Sequence, residues 1–277
     1  AHHVGSHPVR YALVGFVALC AIAAPALSMR IGTPDDGNAA TDTTQRQAYD
    51  LLADGFGAGF NGPIHVVMEV PTPADRVAVD RVLDALQADP GVAAVTAPVF
   101  NPAGDTALLV VNATTAPQDE RTDALVHHLR SDVLPVAVNG TDATARLTGQ
   151  AMIIDLTERI TNRLPLFITA IVAMSFLLLM LVFRSILVPL KAALMNLLSI
   201  AAAYGVIVAV FQWGWGNELI GVHHTMPINP FAPLMMFAIL FGLSMDYEVF
   251  LLARIREEYV ASGDSHKSVV TGLSGTA

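Results

Sequence analysis

Four long apolar stretches constrain the fold of this 277-residue chain most, because each is long enough to cross a lipid bilayer as a helix. The stretches are residues 11–29, 164–183, 192–213 and 231–253. The first three contain no charged side chain, and the fourth contains only Asp246 and Glu248. Buried helices of soluble proteins normally carry a polar face, which these stretches lack. The sequence therefore predicts a membrane protein with an α-helical transmembrane bundle of four spans.

The first stretch also has features of a cleaved secretory signal, since Arg10 precedes it and small residues lie near its end. Its apolar part is longer than a typical signal core, and three further spans follow it. We therefore interpret it as a retained helix. The single cysteine, Cys20, lies within it and cannot form a disulfide inside the chain.

The basic residues of the short loops predict the orientation of the spans. These residues are Arg10, Arg184, Lys191, Arg254 and Arg256. The loop of residues 214–232 has no lysine or arginine. Because basic short loops stay in the cytoplasm, residues 1–10, the turn of residues 184–191 and the segment 254–277 are predicted to be cytoplasmic. The last of these segments would also begin a further span.

Residues 30–163 form the one long segment between spans, and alternation of the spans predicts that it is external. It contains nine arginines, no lysine and eighteen acidic residues, hence a net charge of −9. Such acidity keeps a domain soluble and disfavours binding to nucleic acid.

The pattern within the external segment predicts an α+β domain. Predicted strands are residues 64–70, 92–99, 106–111 and 146–148, and predicted helices are residues 43–53, 74–88, 118–132 and 151–163. From the first strand onward the order is β-α-β-β-α-β, the order of a split βαβ, ferredoxin-like unit. We expect the last helix to run directly into the second span.

Two histidine pairs, His127-His128 and His223-His224, raise the question of a metal site. Adjacent residues point in different directions on a helix, and we find no acid or cysteine at ligand spacing. We interpret both pairs as surface histidines. The sequence also lacks a nucleophile motif, a phosphate loop and a nucleotide fingerprint. It therefore predicts neither an enzyme nor a protein with a metal or organic cofactor.

The segment FGLSMDYEVFLLARIREEY, residues 241–259, is the most informative part of the chain. By helix rise, Asp246 lies roughly 20 Å from Pro233, within the bilayer and nearer its cytoplasmic side. An aspartate at that depth costs about 2.5–3.5 kcal/mol to insert. We hypothesise that its carboxyl group gains and loses a proton as access alternates, so that the proton is the coupling ion. The alternative is a structural polar clasp between helices.

Neighbouring residues are expected to support Asp246. Gly242 shares its face of the helix and permits close approach of another helix, while the Tyr247 phenol lies beside it. Further polar candidates for the same interior are Ser244, Asn196, Ser199 and Tyr204. Glu248 lies about 200° round the helix from Asp246 by helical geometry, so we expect it to reach the membrane edge or to pair with a basic residue.

The quoted segment and LVFRSILVPLKAALMNLLSIAAAYGVIV, residues 181–208, resemble the signature of MmpL-type transporters of the resistance-nodulation-division (RND) superfamily. TPDDGNAATDTTQRQAYDLLADGFGAGFNGP, residues 33–63, resembles the start of the external porter domain of that family. Members have two similar halves, each with one span, an external domain and five further spans. The resemblance implies that this chain is a truncated C-terminal half. It also implies proton-relay pairs between Asp246, Tyr247 and the equivalent Tyr and Asp of the missing homologous N-terminal half.

The function implied by the resemblance is export of lipids or other hydrophobic molecules across the cell membrane, driven by the proton-motive force as in actinobacterial-type exporters. The expected partners are membrane lipid, a hydrophobic substrate and the missing half. The alternative is a non-transporting membrane scaffold or sensor in which Asp246 is a clasp. Neither the identity of the substrate nor an oligomeric state follows from the sequence.

Overall fold

A computed structural model describes residues 7–220 and 225–276. The chain divides into two compact units. The membrane unit comprises Ala1–Ile31 and Thr161–Ala277, and the sheet unit comprises Gly32–Ile160.

The sheet unit contains one antiparallel sheet whose two central strands are β1 and β4. Its strands are β1 (Ile64–Glu69), β2 (Val92–Val95), β3 (Val99–Phe100), β4 (Thr106–Ala113) and β5 (Thr144–Gly149). The spatial order is β2-β4-β1-β5, and β3 also pairs with β4. Val66 of β1 lies opposite both Leu109 and Leu147, which fixes the register at the centre of the sheet.

One face of the sheet forms the core of the unit. Alternate residues of β1, namely Ile64, Val66 and Met68, are fully buried, as a strand with one covered face requires. The covering helices are α3 (Arg76–Ala88), α4 (Glu120–His128) and α5 (Leu134–Val138), and α2 (Thr44–Phe56) precedes the sheet. Val79, Val82 and Leu86 of α3 are buried in the same core.

Two predicted elements of the sheet unit are interrupted. The strand expected over residues 92–99 is split into β2 and β3, because Pro98 has no N–H for the ladder. Between the two strands, the Thr96 hydroxyl accepts from the Val110 N–H at 3.0 Å. The helix expected over residues 118–132 is divided into three segments. α4 is followed by a π-helical turn at Leu129–Val133, and α5 follows that turn.

Asp75 ties the start of α3 to the loop before β5. Its buried carboxylate accepts from the Thr72 hydroxyl at 2.7 Å, from the Thr72 N–H at 3.1 Å and from the Asp142 N–H at 3.1 Å. These hydrogen bonds, the one from the Thr72 hydroxyl first, lower the pKa of Asp75 below its ordinary value.

Replacing Asp75 with alanine is expected to lower the unfolding temperature of the sheet unit at neutral pH, because three hydrogen bonds are lost. A carboxyl group whose pKa is lowered by folding stabilises the folded state above its unfolded pKa, about 4, and loses that effect as the pH falls through the folded value. The difference between wild type and Asp75→Ala should therefore narrow in acid. Thermal unfolding at several pH values measures it, with Asp80→Ala, an exposed residue of α3, as the control. An equal deficit at every pH would contradict this role for the carboxylate.

The membrane unit is helical throughout most of its described length. Its helices are α1 (Pro8–Ala23), α6 (Gln150–Phe183), α7 (Leu187–Ile207), α8 (Phe231–Ser262) and α9 (Ser265–Thr276), and α6 begins within the sheet unit. Among the described residues, four helical segments are long and apolar enough to cross a membrane. They are Pro8–Ser28, Gln150–Phe183, Leu187–Gln212 and Phe231–Ser262.

The helices extend beyond the apolar stretches at several ends. α7 begins at Leu187, before the apolar stretch that starts at residue 192, and α8 continues to Ser262. Gly263, with φ of 66°, ends α8 in the left-handed conformation that glycine adopts without strain. Hydropathy marks the part of a helix that suits lipid, so charged helical turns outside it are not detected.

Two of the close helix contacts in the described part of the membrane unit involve α7. Gly205 of α7 lies against the backbone of α1, where a Cβ atom would collide with the Ile22 carbonyl oxygen. Phe237 and Phe241 of α8 are buried against Ile200 of α7, and their rings stack with centroids 5.3 Å apart. These contacts fix the relative positions of α1, α7 and α8.

Candidate functional site around Asp246

α8 carries Asp246 near the middle of a long apolar helix. Asp246 lies 15 residues after Phe231, which corresponds to about 22 Å of helix. Its side chain is exposed and makes no hydrogen bond or ion pair with any residue that the structure describes. The neighbouring Tyr247 is 75% exposed. The acid and the phenol therefore lie on a surface that the described residues leave uncovered.

The uncovered surface of α8 is apolar apart from these two residues. Ile239, Leu243 and Phe250 are exposed along it at helical spacing. Gly242 lies on the same surface, and a Cβ atom added there would meet nothing within 4 Å. No helix of the described residues packs against Gly242, so the expectation that it admits a neighbouring helix stays a prediction.

Four of the polar residues predicted to support Asp246, namely Asn196, Ser199, Ser244 and Tyr247, line a cavity between α7 and α8. The cavity has a volume of about 290 Å³. Its lining residues are Met195, Asn196, Ser199, Ser244, Tyr247, Glu248, Phe250 and Leu251. Tyr247 and Phe250 therefore belong both to the cavity wall and to the uncovered surface.

Asn196 is the most deeply buried polar group of the cavity. It is 2% exposed, and neither its amide nitrogen nor its amide oxygen has a hydrogen-bond partner among the described residues. Ser199, one turn later, donates its hydroxyl to the Met195 carbonyl at 3.0 Å. Tyr204 lies outside the cavity, because its hydroxyl donates to the Pro233 carbonyl at 2.5 Å.

Comparison with known proteins shows to which family the chain belongs. The sequence pattern described as the MMPL family matches residues 35–277, which include the sheet unit, α6, α7, α8 and α9. The chain belongs to the MMPL family. It is therefore a multi-pass membrane protein of a transporter family, with a small antiparallel sheet domain between its first two spans.

Relatives of this MMPL chain include proteins from two bacterial groups. Membrane protein YdfJ of Bacillus subtilis is 37% identical over 274 residues, which are 98% of this chain and 37% of YdfJ. The mycolic acid-containing lipids exporter MmpL11 of Mycolicibacterium smegmatis is 32% identical over 98% of this chain and 29% of its own length. The heme uptake protein MmpL11 of Mycobacterium tuberculosis is 31% identical over 96% of this chain and 28% of its own length. The MMPL chain thus spans about a third of the length of these relatives.

The position of Glu248 in this site was not predicted from the sequence. It does not pair with a basic residue among the described residues, and it is partly buried at the edge of the cavity. The nearby arginines have other partners. Arg254 forms a salt bridge with Glu257 at 2.8 Å, and Arg256 donates to the Val182 carbonyl at 3.1 Å. Helical geometry correctly placed Glu248 away from Asp246, but it could not show that α7 brings Asn196 to that side.

The histidine pair of the MMPL sheet unit also differs from expectation. His127 lies 2.6 Å from a Glu158 oxygen, and His128 contacts Asp132 at 2.9 Å and Asp89 at 3.3 Å. The expectation that no acid lies at ligand spacing from this pair is therefore wrong, because Asp132 lies one helical turn after His128. The hydrogen bond with His128 lowers the pKa of Asp132.

Both histidines are exposed at the surface and contact acidic side chains there. No group of three side chains able to hold a metal ion occurs among the residues that the structure describes. The other pair, His223-His224, lies outside the described residues.

Proposed function

We propose that this chain is the proton-coupled part of an exporter that moves lipids or other hydrophobic molecules across the cell membrane. The observation that carries the proposal is Asp246, which lies at the middle of α8, exposed and without a partner in the described chain. A carboxyl group facing hydrocarbon is strongly disfavoured. A second set of helices covering this surface would place Asp246 in a protein interior, where it can bind and release a proton.

The length of the relatives supports a covering half. Because the chain spans about a third of each relative, those proteins have room for a second, homologous set of spans. In the proposal, Asp246 and Tyr247 pair with the equivalent Tyr and Asp of that half. Protonation of Asp246 weakens the pairing and lets the two sets of helices move.

The alternative of a scaffold in which Asp246 is a polar clasp has less support. A clasp within this chain would need a hydrogen-bond partner for Asp246, and the described residues provide none. If Asp246 were instead a clasp to another chain, assembly of the two chains would depend on Asp246 and transport would not.

The sheet unit is the external porter domain in this proposal. Its β-α-β-β-α-β order and its spatial order β2-β4-β1-β5 support a ferredoxin-like fold. The short-loop arginines and lysines support its external location. The domain would receive the substrate from the membrane spans and pass it outward.

Relatives' names guide the choice of substrate. One is named for mycolic acid-containing lipids and another for heme. We favour the lipid class for this chain, because a further relative, MmpL3 of Mycolicibacterium smegmatis, is named a trehalose monomycolate exporter and is 30% identical over 44% of this chain.

Transport by the reconstituted full-length protein tests the proposal. In liposomes without nucleotide, an imposed proton gradient should drive transfer of a fluorescent long-chain acyl lipid. One coupled proton supplies about 2.3 kcal/mol per 100 mV, equivalent to roughly a 50-fold concentration ratio. A protonophore should abolish the driven transfer. Transfer at the same rate with and without the gradient would reject proton coupling.

A further inference from the structure

The cavity between α7 and α8 contains an unsatisfied buried amide, which the pairing of Asp246 with another half does not explain. Asn196 comes from α7, whereas Ser244 and Glu248 come from consecutive turns of α8. Asp246 does not line this cavity. The cavity is therefore a second polar feature of α8, separate from the Asp246 carboxyl group.

The amide of Asn196 requires a partner on energetic grounds. A buried polar group without a hydrogen bond costs about 1–3 kcal/mol. A helix in lipid can avoid that cost most simply with an apolar residue, as at the neighbouring Leu194 and Met195. The presence of Asn196 indicates that something within the cavity hydrogen-bonds to it.

Water satisfies the geometry of this cavity. A water molecule needs two to four polar partners and about 30 Å³ of space. The cavity of about 290 Å³ has that space, and the lining side chains of Asn196, Ser244 and Glu248 supply donors and acceptors. An apolar occupant would leave both the amide and the carboxyl group unsatisfied.

We infer that the cavity is a hydration site, in which Asn196 is a positioning residue that holds water against the Glu248 carboxyl group. The inference rests on the proposed function for its purpose, which is to supply protons to α8. In the transfer step, a hydronium ion held at Asn196 gives its proton to a Glu248 carboxylate oxygen. A new O–H bond forms on the carboxyl group and the hydronium becomes water.

The titratable groups that face the cavity are Tyr247 and Glu248, both on α8. The lining residues of α7, namely Met195, Asn196 and Ser199, do not titrate. Glu248 thus contributes the carboxyl group of the described lining. Changes at Asn196 should act through Glu248 and its water.

Thiol labelling in the full-length protein tests the hydration directly. In a Cys20→Ser background, Ser244→Cys places a thiol on the cavity wall. Leu194→Cys places one next to the lining residues Met195 and Asn196, at a residue that is 60% exposed and does not line the cavity. Charged methanethiosulfonates react with the thiolate, which forms in water. Labelling at position 244 should be about 10-fold faster than at position 194. Equal rates would overturn the inference.

The role of the amide is tested with a matched pair of substitutions. Valine and threonine have nearly the same shape, but threonine keeps a hydrogen-bonding hydroxyl. Asn196→Val should slow labelling at position 244 by about 10-fold, and Asn196→Thr should largely restore it. If the two variants label alike, Asn196 does not position the water.

The pH dependence of gradient-driven transport separates positioning from a structural effect. Asn196→Val should shift the pH profile by about 1 unit, whereas Asn196→Thr should remain close to wild type. A uniform loss at all pH values would reject the proton-supply role. Thiol labelling does not depend on transport. Loss of proton coupling in the lipid assay would therefore reject the proposed function, whereas slow labelling at position 244 would reject the hydration of the cavity.

Discussion

The Asp246→Asn protein is expected to insert normally and to lose transport driven by a proton gradient. Asparagine has nearly the same shape as aspartate but cannot bind and release a proton. If Asp246 carries the coupled proton, the variant loses the roughly 50-fold accumulation that one proton supplies per 100 mV. Downhill exchange of the substrate does not require that proton and should persist.

The matched control for this substitution is Glu257→Gln. Glu257 lies on the same helix, is paired with Arg254 at 2.8 Å and is outside the apolar stretch that ends at residue 253. The control removes a carboxylate of α8 without touching the uncovered surface. Comparable driven transport in Asp246→Asn and in wild type would contradict the account, provided that both proteins insert to the same level.

The Gly205→Val protein is expected to be destabilised, because α1 and α7 make backbone contact at this residue. A Cβ atom at Gly205 would overlap the Ile22 carbonyl oxygen and lie 3.0 Å from the Ala23 Cα atom. Backbone atoms cannot move aside by changing rotamer, so the helices must separate. Overpacking of this kind typically costs about 1–3 kcal/mol.

Gly15→Val provides the comparison for that prediction. Gly15 lies in α1, and a Cβ atom there would meet nothing within 4 Å in the described structure. Both substitutions change helix propensity in the same way, so their difference reports the α1–α7 contact. Thermal unfolding of the purified proteins should show a lower midpoint for Gly205→Val. Equal midpoints would mean that α1 does not pack closely at Gly205.

Much of the fold follows from patterns that act over short distances. The apolar stretches locate the four spanning helices because lipid tolerates few charges along a helix. Side chains along Ile64–Glu69 alternate between buried and less buried positions, because only one face of the sheet is covered. The break in the strand at Pro98 could also have been predicted, since proline has no N–H to donate to a neighbouring strand. The apolar residues on either side of Pro98 favoured one continuous strand instead.

The candidate site was less predictable because it depends on contacts between helices. Asn196 and Ser199 could be placed on one face of α7 by spacing, yet the sequence does not say which helix faces them. The structure puts Glu248 there and leaves Asp246 on the uncovered surface. Hydropathy cannot make this distinction, since lipid-facing and protein-facing surfaces of such helices have similar composition.

The central claim is that the Asp246 carboxyl group binds and releases a proton within the membrane. Infrared difference spectroscopy of the full-length protein in bilayers, with the pH stepped across the working range, measures this directly. The account predicts a band of a protonated carboxyl group that appears on acidification in wild type and is missing in Asp246→Asn. Identical difference spectra for the two proteins would contradict it.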